Sequence, residues 1–187
     1  MNIGSTKQQS LFDQKIATLL LQLGIPADYG IQRHLDLCEE CKELVSIGKD
    51  MFERDQLMAP QAANAWAKMK KAAAASGIQL QVVSAFRTVG YQAGIIQRKL
   101  DSGQNMQQIL QVSAAPGYSE HHGGNALDIS TPGYEPVEEE FENSPAFTWL
   151  TDSAKDFGFS LSYPKNNTHG VCYEPWHWCW AAEKPEP

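Results

Sequence analysis

The chain has 187 residues, of which 42% are hydrophobic and 20% charged, and its formal net charge is −7. This length suits a single domain with a sizeable core, and the composition is ordinary for a globular protein. The acidic balance argues against binding of nucleic acid, which needs a basic face for phosphates. No apolar stretch reaches the ~18 to 20 residues of a membrane span. We therefore expect no nucleic acid among its partners, no membrane span, and a monomer.

The apolar residues near the N-terminus recur at helical spacing and are interrupted by Asp13, Gln14 and Lys15. This pattern predicts an amphipathic helix over 10–23 rather than an export signal. As the chain stands we expect it in the cytoplasm, or in the periplasm or cell wall if an export signal has been removed.

Further helices are predicted along the chain. One is expected around 34–48, and Pro60 begins an alanine-rich stretch that ends at Gly77, in keeping with the preference for proline at the start of a helix and glycine after its end. Two more are predicted over 89–101 and, from apolar residues at core spacing, over 146–158.

Strands are predicted mainly in the second half of the chain. Their predicted ranges are 78–86, 125–130, 159–163 and 170–174. Helices that come first and strands that come later, without regular alternation, favour an α+β fold with a mostly antiparallel sheet in one domain. We expect helices to flank this sheet.

The four cysteines are Cys38, Cys41, Cys172 and Cys179. An even number permits two disulfides, but the chain is neither small nor cysteine-rich enough to require them. A zinc site joining the first three of these residues with His169 is an alternative, although the second pair lacks the spacing of a compact zinc finger. Free or paired structural thiols are the expectation.

The residues with the strongest chemical signal are His121 or His122, Asp128, Glu174 and His177. Two histidines and one carboxylate can hold a catalytic zinc and leave a fourth position for water, whose pKa such a metal lowers from 15.7 to about 7. Glu174, three residues before His177, could then take the proton of that water. The ordinary alternative is that Asp128 faces solvent and that Glu174 and His177 form a surface pair.

The local pattern does not decide which of the two adjacent histidines is the ligand. His122 has the same strand parity as Asp128, but the pair Gly123–Gly124 can bulge or turn the chain and reset the alternation. Both assignments stay open on this ground.

Three motifs resemble those of the VanY-type zinc D-alanyl-D-alanine carboxypeptidases. The stretch "SEHHGGNALD" resembles their S-x-H-x-x-G-x-A-x-D motif, "EPWHW" resembles E-x-W-H, and "SAFRTVGYQ" resembles an upstream motif whose Arg and Gln contact the substrate. The resemblance covers about 55 to 180. It implies a zinc peptidase domain over 55–187 of the superfamily that also contains lysostaphin-type peptidases and hedgehog domains, with 1–54 as a helical segment packed on this core.

Transferred onto this chain, the resemblance implies that His121, Asp128 and His177 bind one Zn²⁺ and that Glu174 is the catalytic base. It leaves His122 at an unconstrained position of the motif. One departure is Cys179, which stands where relatives often carry a basic residue.

The same resemblance implies a set of residues around the substrate. Arg87 would lie near the scissile carbonyl or the terminal carboxylate, Gln92 would help to hold the peptide, and Ser119 would line the pocket. We place Tyr163 at the rim of this pocket. An arginine suits either task, since its planar fork of donors can pair with a carboxylate and stabilise a developing oxyanion.

The expected function is that of a zinc-dependent carboxypeptidase that removes a terminal D-alanine from a peptidoglycan stem peptide or muropeptide by attack of a metal-activated water. The bond can be D,D or L,D. One alternative is an endopeptidase of the same superfamily that cuts inside the cell-wall peptide. Another is a non-catalytic zinc-binding module, but Glu174 argues against it, because a structural zinc has no use for an unligated base.

Overall fold

The computed structural model describes residues 10–182. Within them the α-helices are α1 (Leu11–Leu23), α2 (Tyr29–Arg33), α3 (Pro60–Ala75), α4 (Val89–Asp101), α5 (Met106–Val112) and α6 (Pro145–Ser153). The strands are β1 (Val45–Lys49), β2 (Asp55–Met58), β3 (Gln81–Ser84), β4 (Ala126–Ser130), β5 (Phe159–Leu161) and β6 (His177–Trp180). Short 3-10 helices cover Glu120–Gly123, Glu139–Asn143 and Ala154–Phe157. None of the described helices is long and apolar enough to cross a membrane.

The main sheet has four strands in the order β3-β4-β6-β5, and every neighbouring pair is antiparallel. Strands β1 and β2 form a separate antiparallel pair. Helices flank these sheets in a single domain, which confirms the predicted α+β class. Strand β4 lies in the interior of the four-stranded sheet, and all five of its residues are buried.

The two faces of β4 have different surroundings because successive side chains of a strand point to opposite faces. Leu127 and Ile129 are fully buried in the main core, together with residues of α3 and α6 such as Trp66 and Leu150. Asp128, between them, points to the other face. A second core joins α1, α4 and α5. The sheet therefore has a packed face and a face that is free to carry chemistry.

Several predicted helices are present almost as expected. The helix predicted over 10–23 is α1, which Ser10 begins with a capping box, and the one over 89–101 is α4, capped by Thr88. Pro60 is the first residue of α3. These elements are predictable because their caps and apolar spacing are local properties of the sequence.

Two predicted elements are wrong. The helix expected around 34–48 is absent: the segment before β1 is irregular, and the backbone N–H groups of Cys38 and Cys41 donate to the carbonyls of Gly117 and His122. The strand expected over 170–174 is also absent, and the N–H of Cys172 donates to Gln111 of α5. In both segments tertiary hydrogen bonds occupy backbone groups that regular structure would use.

The helices α2 and α5 and the strands β1, β2 and β6 were not predicted. Helix α5 begins with a capping box between Asn105 and Gln108, a signal that the sequence does contain. Strand β6 begins at His177 within the motif "EPWHW" and continues beyond it to Trp180, and its aromatic residues are compatible with a strand. Strand β1 pairs with β2 across the expected boundary between 1–54 and 55–187. The division of the chain at this boundary stays a prediction.

Asp50 holds the β1–β2 connection and is only 4% exposed. Its carboxylate accepts hydrogen bonds from the backbone N–H groups of Phe52 and Arg54, from Nε of Arg54 at 2.7 Å and from Nε2 of Gln56 at 2.8 Å. Arg54 in turn donates to the carbonyl of Val83 in β3. This network joins the β1–β2 pair to the main sheet.

We expect Asp50→Ala to lower the free energy of unfolding by about 1–3 kcal/mol, because it leaves buried donors unpaired. Burial alone would raise the pKa of Asp50, but the hydrogen bonds from Arg54 and Phe52 outweigh it and lower this pKa. A lowered folded-state pKa stabilises the protein above the unfolded value of about 4, and this contribution is lost as the pH falls through the folded-state pKa. Denaturant unfolding at several pH values measures both effects.

The exposed Asp55, which pairs with the exposed Lys49, provides the control for this prediction. Asp55→Ala should change stability by less than about 1 kcal/mol. Equal losses in the two variants would contradict a special role of Asp50.

Candidate metal and catalytic site

His121, Asp128 and His177 converge in the interior of the molecule. Oδ1 of Asp128 lies 3.3 Å from Nε2 of His121 and 3.1 Å from Nδ1 of His177. Possible ligand atoms of the three residues all lie within 4.8 Å of one another, and all three residues are buried. Two imidazoles and one carboxylate are a donor set that suits a divalent ion such as zinc and leaves one coordination position open.

The sheet brings two of these residues together directly. Asp128 of β4 and His177 of β6 are paired in the antiparallel register. His121 lies in the short 3-10 helix that precedes β4. Gly124 caps the end of this helix, and its φ of 69° lies in the left-handed region. A Cβ on Gly124 would lie 2.8 Å from the backbone nitrogen of Ala59, so the close approach of α3 also requires glycine here.

The two adjacent histidines point in different directions because they belong to a 3-10 helix, in which successive residues are about 120° apart. Nδ1 of His121 donates to the carbonyl of Ala85 at 2.6 Å, which leaves Nε2 facing Asp128. Burial lowers the pKa of His121 to about 4, so the ring is neutral and Nε2 can act as a ligand.

His122 is engaged elsewhere. Its Nδ1 donates to the carbonyl of Arg87 at 2.7 Å, and its Nε2 accepts from the backbone N–H of Gly117 at 3.1 Å. The ring is fully buried and joins two loops. The sequence left its role unassigned, and the geometry makes it a structural residue.

Glu174 lies beside the three-residue group without belonging to it, and only 12% of its side chain is exposed. One of its carboxylate oxygens lies 3.9 Å from Nδ1 of His177. Burial raises the pKa of Glu174 to about 7, against the opposing influence of His177. A carboxyl group with such a pKa can both accept and release a proton near neutral pH.

Arg87 also reaches the three-residue group. Its Nη2 forms an ion pair with Asp128 and lies 2.9 Å from Nε2 of His121. Nε donates to the hydroxyl of Ser84 at 2.9 Å, and Nη1 lies 3.4 Å from Oε1 of Gln92. The guanidinium is therefore held close to the possible ligand atoms.

A cavity of about 440 Å³ opens onto this group. All four residues that the sequence analysis placed around the substrate line it: Arg87, Gln92, Ser119 and Tyr163. Gln92 is buried and donates to the carbonyl of Ala114 at 2.8 Å. The ring of Tyr163 packs against that of His177, with 4.9 Å between centroids. Tyr163 is itself buried and forms part of the cavity wall, and its predicted place at the pocket rim stays a prediction.

The cysteine and histidine set proposed as an alternative zinc site is not brought together. Among residues 10–182 only His121, Asp128 and His177 form a group that could hold a metal ion. Cys172 is exposed, and Nδ1 of His169 donates to the carbonyl of Arg33. All four cysteines are free.

Glu120 is a site residue that the sequence reasoning missed. Its Oε2 lies 2.7 Å from Nε2 of His177, so this ring nitrogen donates to the carboxylate and Nδ1 remains on the side of Asp128. Burial alone would raise the pKa of Glu120, but the hydrogen bond from His177 outweighs this effect and lowers the pKa to about 2. A carboxylate behind a histidine ligand fixes its ring orientation and increases its basicity. The only sequence signal was its place between Ser119 and His121.

Comparison with known proteins identifies the class. The sequence model of VanY, described as D-alanyl-D-alanine carboxypeptidase, matches residues 55–183. The chain belongs to this family.

Two curated relatives illustrate the match. The chain is 34% identical over 128 residues to the putative carboxypeptidase YodJ of Bacillus subtilis, covering 66% of this chain and 46% of that protein. It is 33% identical over 117 residues to a D-alanyl-D-alanine carboxypeptidase of Enterococcus faecalis, covering 57% and 42%. The match thus spans less than half the length of these two relatives.

Solved structures agree with this assignment. The LdcB LD-carboxypeptidase superposes with a TM-score of 0.71 at 29% identity, covering 86% of this chain and 80% of that one. A variant of the vancomycin-resistance D,D-pentapeptidase VanY in complex with Zn(II) gives 0.58 at 28% identity, covering 83% and 82%.

The geometry predicts opposite phenotypes for the two histidines. His121→Ala should abolish stoichiometric zinc binding and leave a folded protein. His122→Ala should lower the free energy of unfolding by about 2–4 kcal/mol, because it creates a cavity and leaves two backbone groups unpaired. Elemental analysis and denaturant unfolding provide the two measurements. Loss of zinc in the His122 variant alone would overturn the assignment.

Removal of the carboxylate behind His177 should weaken metal binding. Glu120→Ala is expected to lower zinc affinity about 10- to 100-fold, and Glu120→Gln by less, because the amide oxygen can still accept from Nε2. Competition with a chromogenic chelator measures the affinity. The exposed Glu140→Ala is the matched control. Unchanged affinity in Glu120→Ala would show that the contact does not support the metal site.

Proposed function

We propose that this chain is a zinc-dependent carboxypeptidase that removes the terminal D-alanine from peptidoglycan stem peptides. The observation that carries the proposal is a buried group of His121, Asp128 and His177 with the partly buried Glu174 beside it, all facing one cavity. Family membership supports the reaction class.

Relatives support the class of substrate. A solved structure of VanYB contains D-alanine-D-alanine and covers 75% of this chain at 26% identity, with a TM-score of 0.60. Another neighbour, LdcB, is an LD-carboxypeptidase. Since both specificities occur on this fold, the proposal covers release of D-alanine from either a D,D or an L,D bond.

The residues present fit a zinc ion, because two imidazoles and a carboxylate converge with the histidine orientations set by Ala85 and Glu120. Zinc bound there would supply an acidified water and polarise the substrate carbonyl.

The roles of the protein groups follow from their positions. Glu174 would take a proton from the attacking water and deliver it to the departing amine. Arg87 would stabilise negative charge on the scissile carbonyl oxygen. Gln92, Ser119 and Tyr163 line the same cavity and would hold the peptide and exclude water from around the reacting bond.

Two competing functions make different predictions. An endopeptidase of the same superfamily would cleave a peptide whose C-terminus is amidated, whereas a carboxypeptidase would not. A non-catalytic zinc-binding module would bind metal and cleave neither. The unligated Glu174 and the cavity favour an enzyme over such a module.

The reaction is tested by mass spectrometry of products from tetrapeptide and pentapeptide muropeptides. We expect loss of one D-alanine from at least one of them, and no cleavage of the C-terminally amidated forms. Cleavage inside the stem peptide would support the endopeptidase, and absence of any cleavage by the zinc-loaded protein would contradict the proposal.

The role of Glu174 is tested with Glu174→Gln. We expect kcat to fall by about 10²- to 10⁴-fold, because the isosteric amide cannot transfer the proton. Zinc content should stay stoichiometric, since Glu174 does not belong to the ligand group. Glu140→Gln provides a surface control for the same change. A Glu174→Gln variant with full activity and full zinc content would refute this role.

A further inference from the structure

Lys99 lines the same cavity as the catalytic group but has no role in the proposed mechanism. It lies on α4, seven residues after Gln92, so the two residues share a face of that helix two turns apart. Its Nζ donates to the hydroxyl of Ser113 at 2.9 Å. Ser113 directly precedes Ala114, whose carbonyl accepts from Gln92.

The two arginines that line the cavity are already engaged. Arg54 pairs with Asp50 at 2.7 Å and donates to the backbone. Arg87 pairs with Asp128. Within residues 10–182 the ammonium of Lys99 forms no ion pair, and its one hydrogen-bond partner is a neutral hydroxyl. Lys99 is thus a cavity cation without a carboxylate partner in the described part of the chain.

Its partly buried position makes the unpaired charge significant. Burial lowers the pKa of Lys99, and the nearby Arg87 adds to this effect while Glu174 opposes it. A partly desolvated ammonium gains a strong interaction when an anion enters the cavity, since charge-assisted hydrogen bonds are stronger there than in water. A carboxylate of the substrate is the anion that a peptidase cavity would receive.

An exopeptidase must recognise the free end of its substrate. The terminal carboxylate of a carboxypeptidase substrate lies one residue beyond the scissile carbonyl, and consecutive Cα atoms are about 3.8 Å apart. Contacts run continuously from the metal-binding group through Arg87, Gln92 and the 113–114 backbone to the ammonium of Lys99. Arg87 is held beside the metal-binding group by its ion pair with Asp128, which leaves Lys99 as the lysine or arginine of the cavity lining that is available for the chain end.

We propose that Lys99 is the cation that binds the terminal carboxylate of the peptide substrate. This inference rests on the proposed carboxypeptidase function and gives it the group that distinguishes a free chain end from the interior of a peptide.

The test compares ligand binding by zinc-loaded Glu174→Gln protein with and without the further change Lys99→Met. The probes are N-acetyl-D-alanyl-D-alanine and its C-terminal amide, with dissociation constants measured by calorimetry. We expect Lys99→Met to weaken binding of the acid about 10- to 100-fold and to leave binding of the amide nearly unchanged. Lys99→Arg should retain most of the preference for the acid. An unchanged ratio of acid to amide affinity in Lys99→Met would overturn the proposal.

A second pair of probes distinguishes the source of the carboxylate. Stem tetrapeptides with a free or an amidated glutamyl α-carboxylate differ only upstream of the scissile bond. If the loss in Lys99→Met follows the glutamyl carboxylate rather than the chain end, Lys99 binds the upstream group and the proposal is wrong. When Lys99→Met is the only substitution, the weaker binding of the substrate should appear mainly as a higher KM.

Controls separate charge from packing. Ser113→Ala removes the hydrogen bond of Lys99 but keeps its charge, and it should retain the preference for the acid. Lys71→Met removes an exposed lysine of α3 and should change nothing. If Lys99→Met does not fold, Lys99→Gln is measured in its place with the same expectation. Failure of the unsubstituted enzyme to release D-alanine would instead refute the proposed function. This outcome is distinguishable from the first, because the binding measurements require no cleavage.

Discussion

The burial of the Asp128 carboxylate is the constraint on which the rest of the site depends. A charge in the interior of a sheet is costly unless it is paired and hydrogen-bonded. Asp128 is 3% exposed, and its partners come from three different segments: His121 from the 3-10 helix, His177 from β6 and Arg87 from the loop between β3 and α4. The ion pairs and hydrogen bonds that the buried Asp128 carboxylate needs therefore bring His121, His177 and Arg87 together.

The surrounding structure supports this arrangement from behind. Ala85 and Glu120 each accept a hydrogen bond from the outer nitrogen of one histidine. His122 joins the loop at Gly117 to the backbone of Arg87, and so holds both sides of the turn that carries His121. Of the two adjacent histidines, His121 is thus oriented as a possible metal ligand, whereas His122 stabilises the surrounding loops.

The predictions from sequence succeeded where the signal was local. Helix α4 agrees with its predicted range because Thr88 caps it and its apolar residues have a clear helical spacing. The helix expected around 34–48 failed because Cys38 and Cys41 hydrogen-bond to the loop at 117–122, contacts distant in sequence that no periodicity reveals. Strand β6 is likewise stabilised by pairing with β4 and β5.

The sequence by itself determined the α+β class and, through its three motifs, the candidate residues His121, Asp128, Glu174 and His177. Local strand parity pointed weakly to His122 instead, since it could not anticipate a 3-10 helix. Only the tertiary structure showed that Glu120 accepts a hydrogen bond from His177 and that Lys99, which forms no ion pair within residues 10–182, lines the same cavity. The physical reason is that caps, spacing and motifs belong to neighbouring residues, whereas hydrogen-bond partners and charge pairing depend on residues that meet only when the sheet has formed.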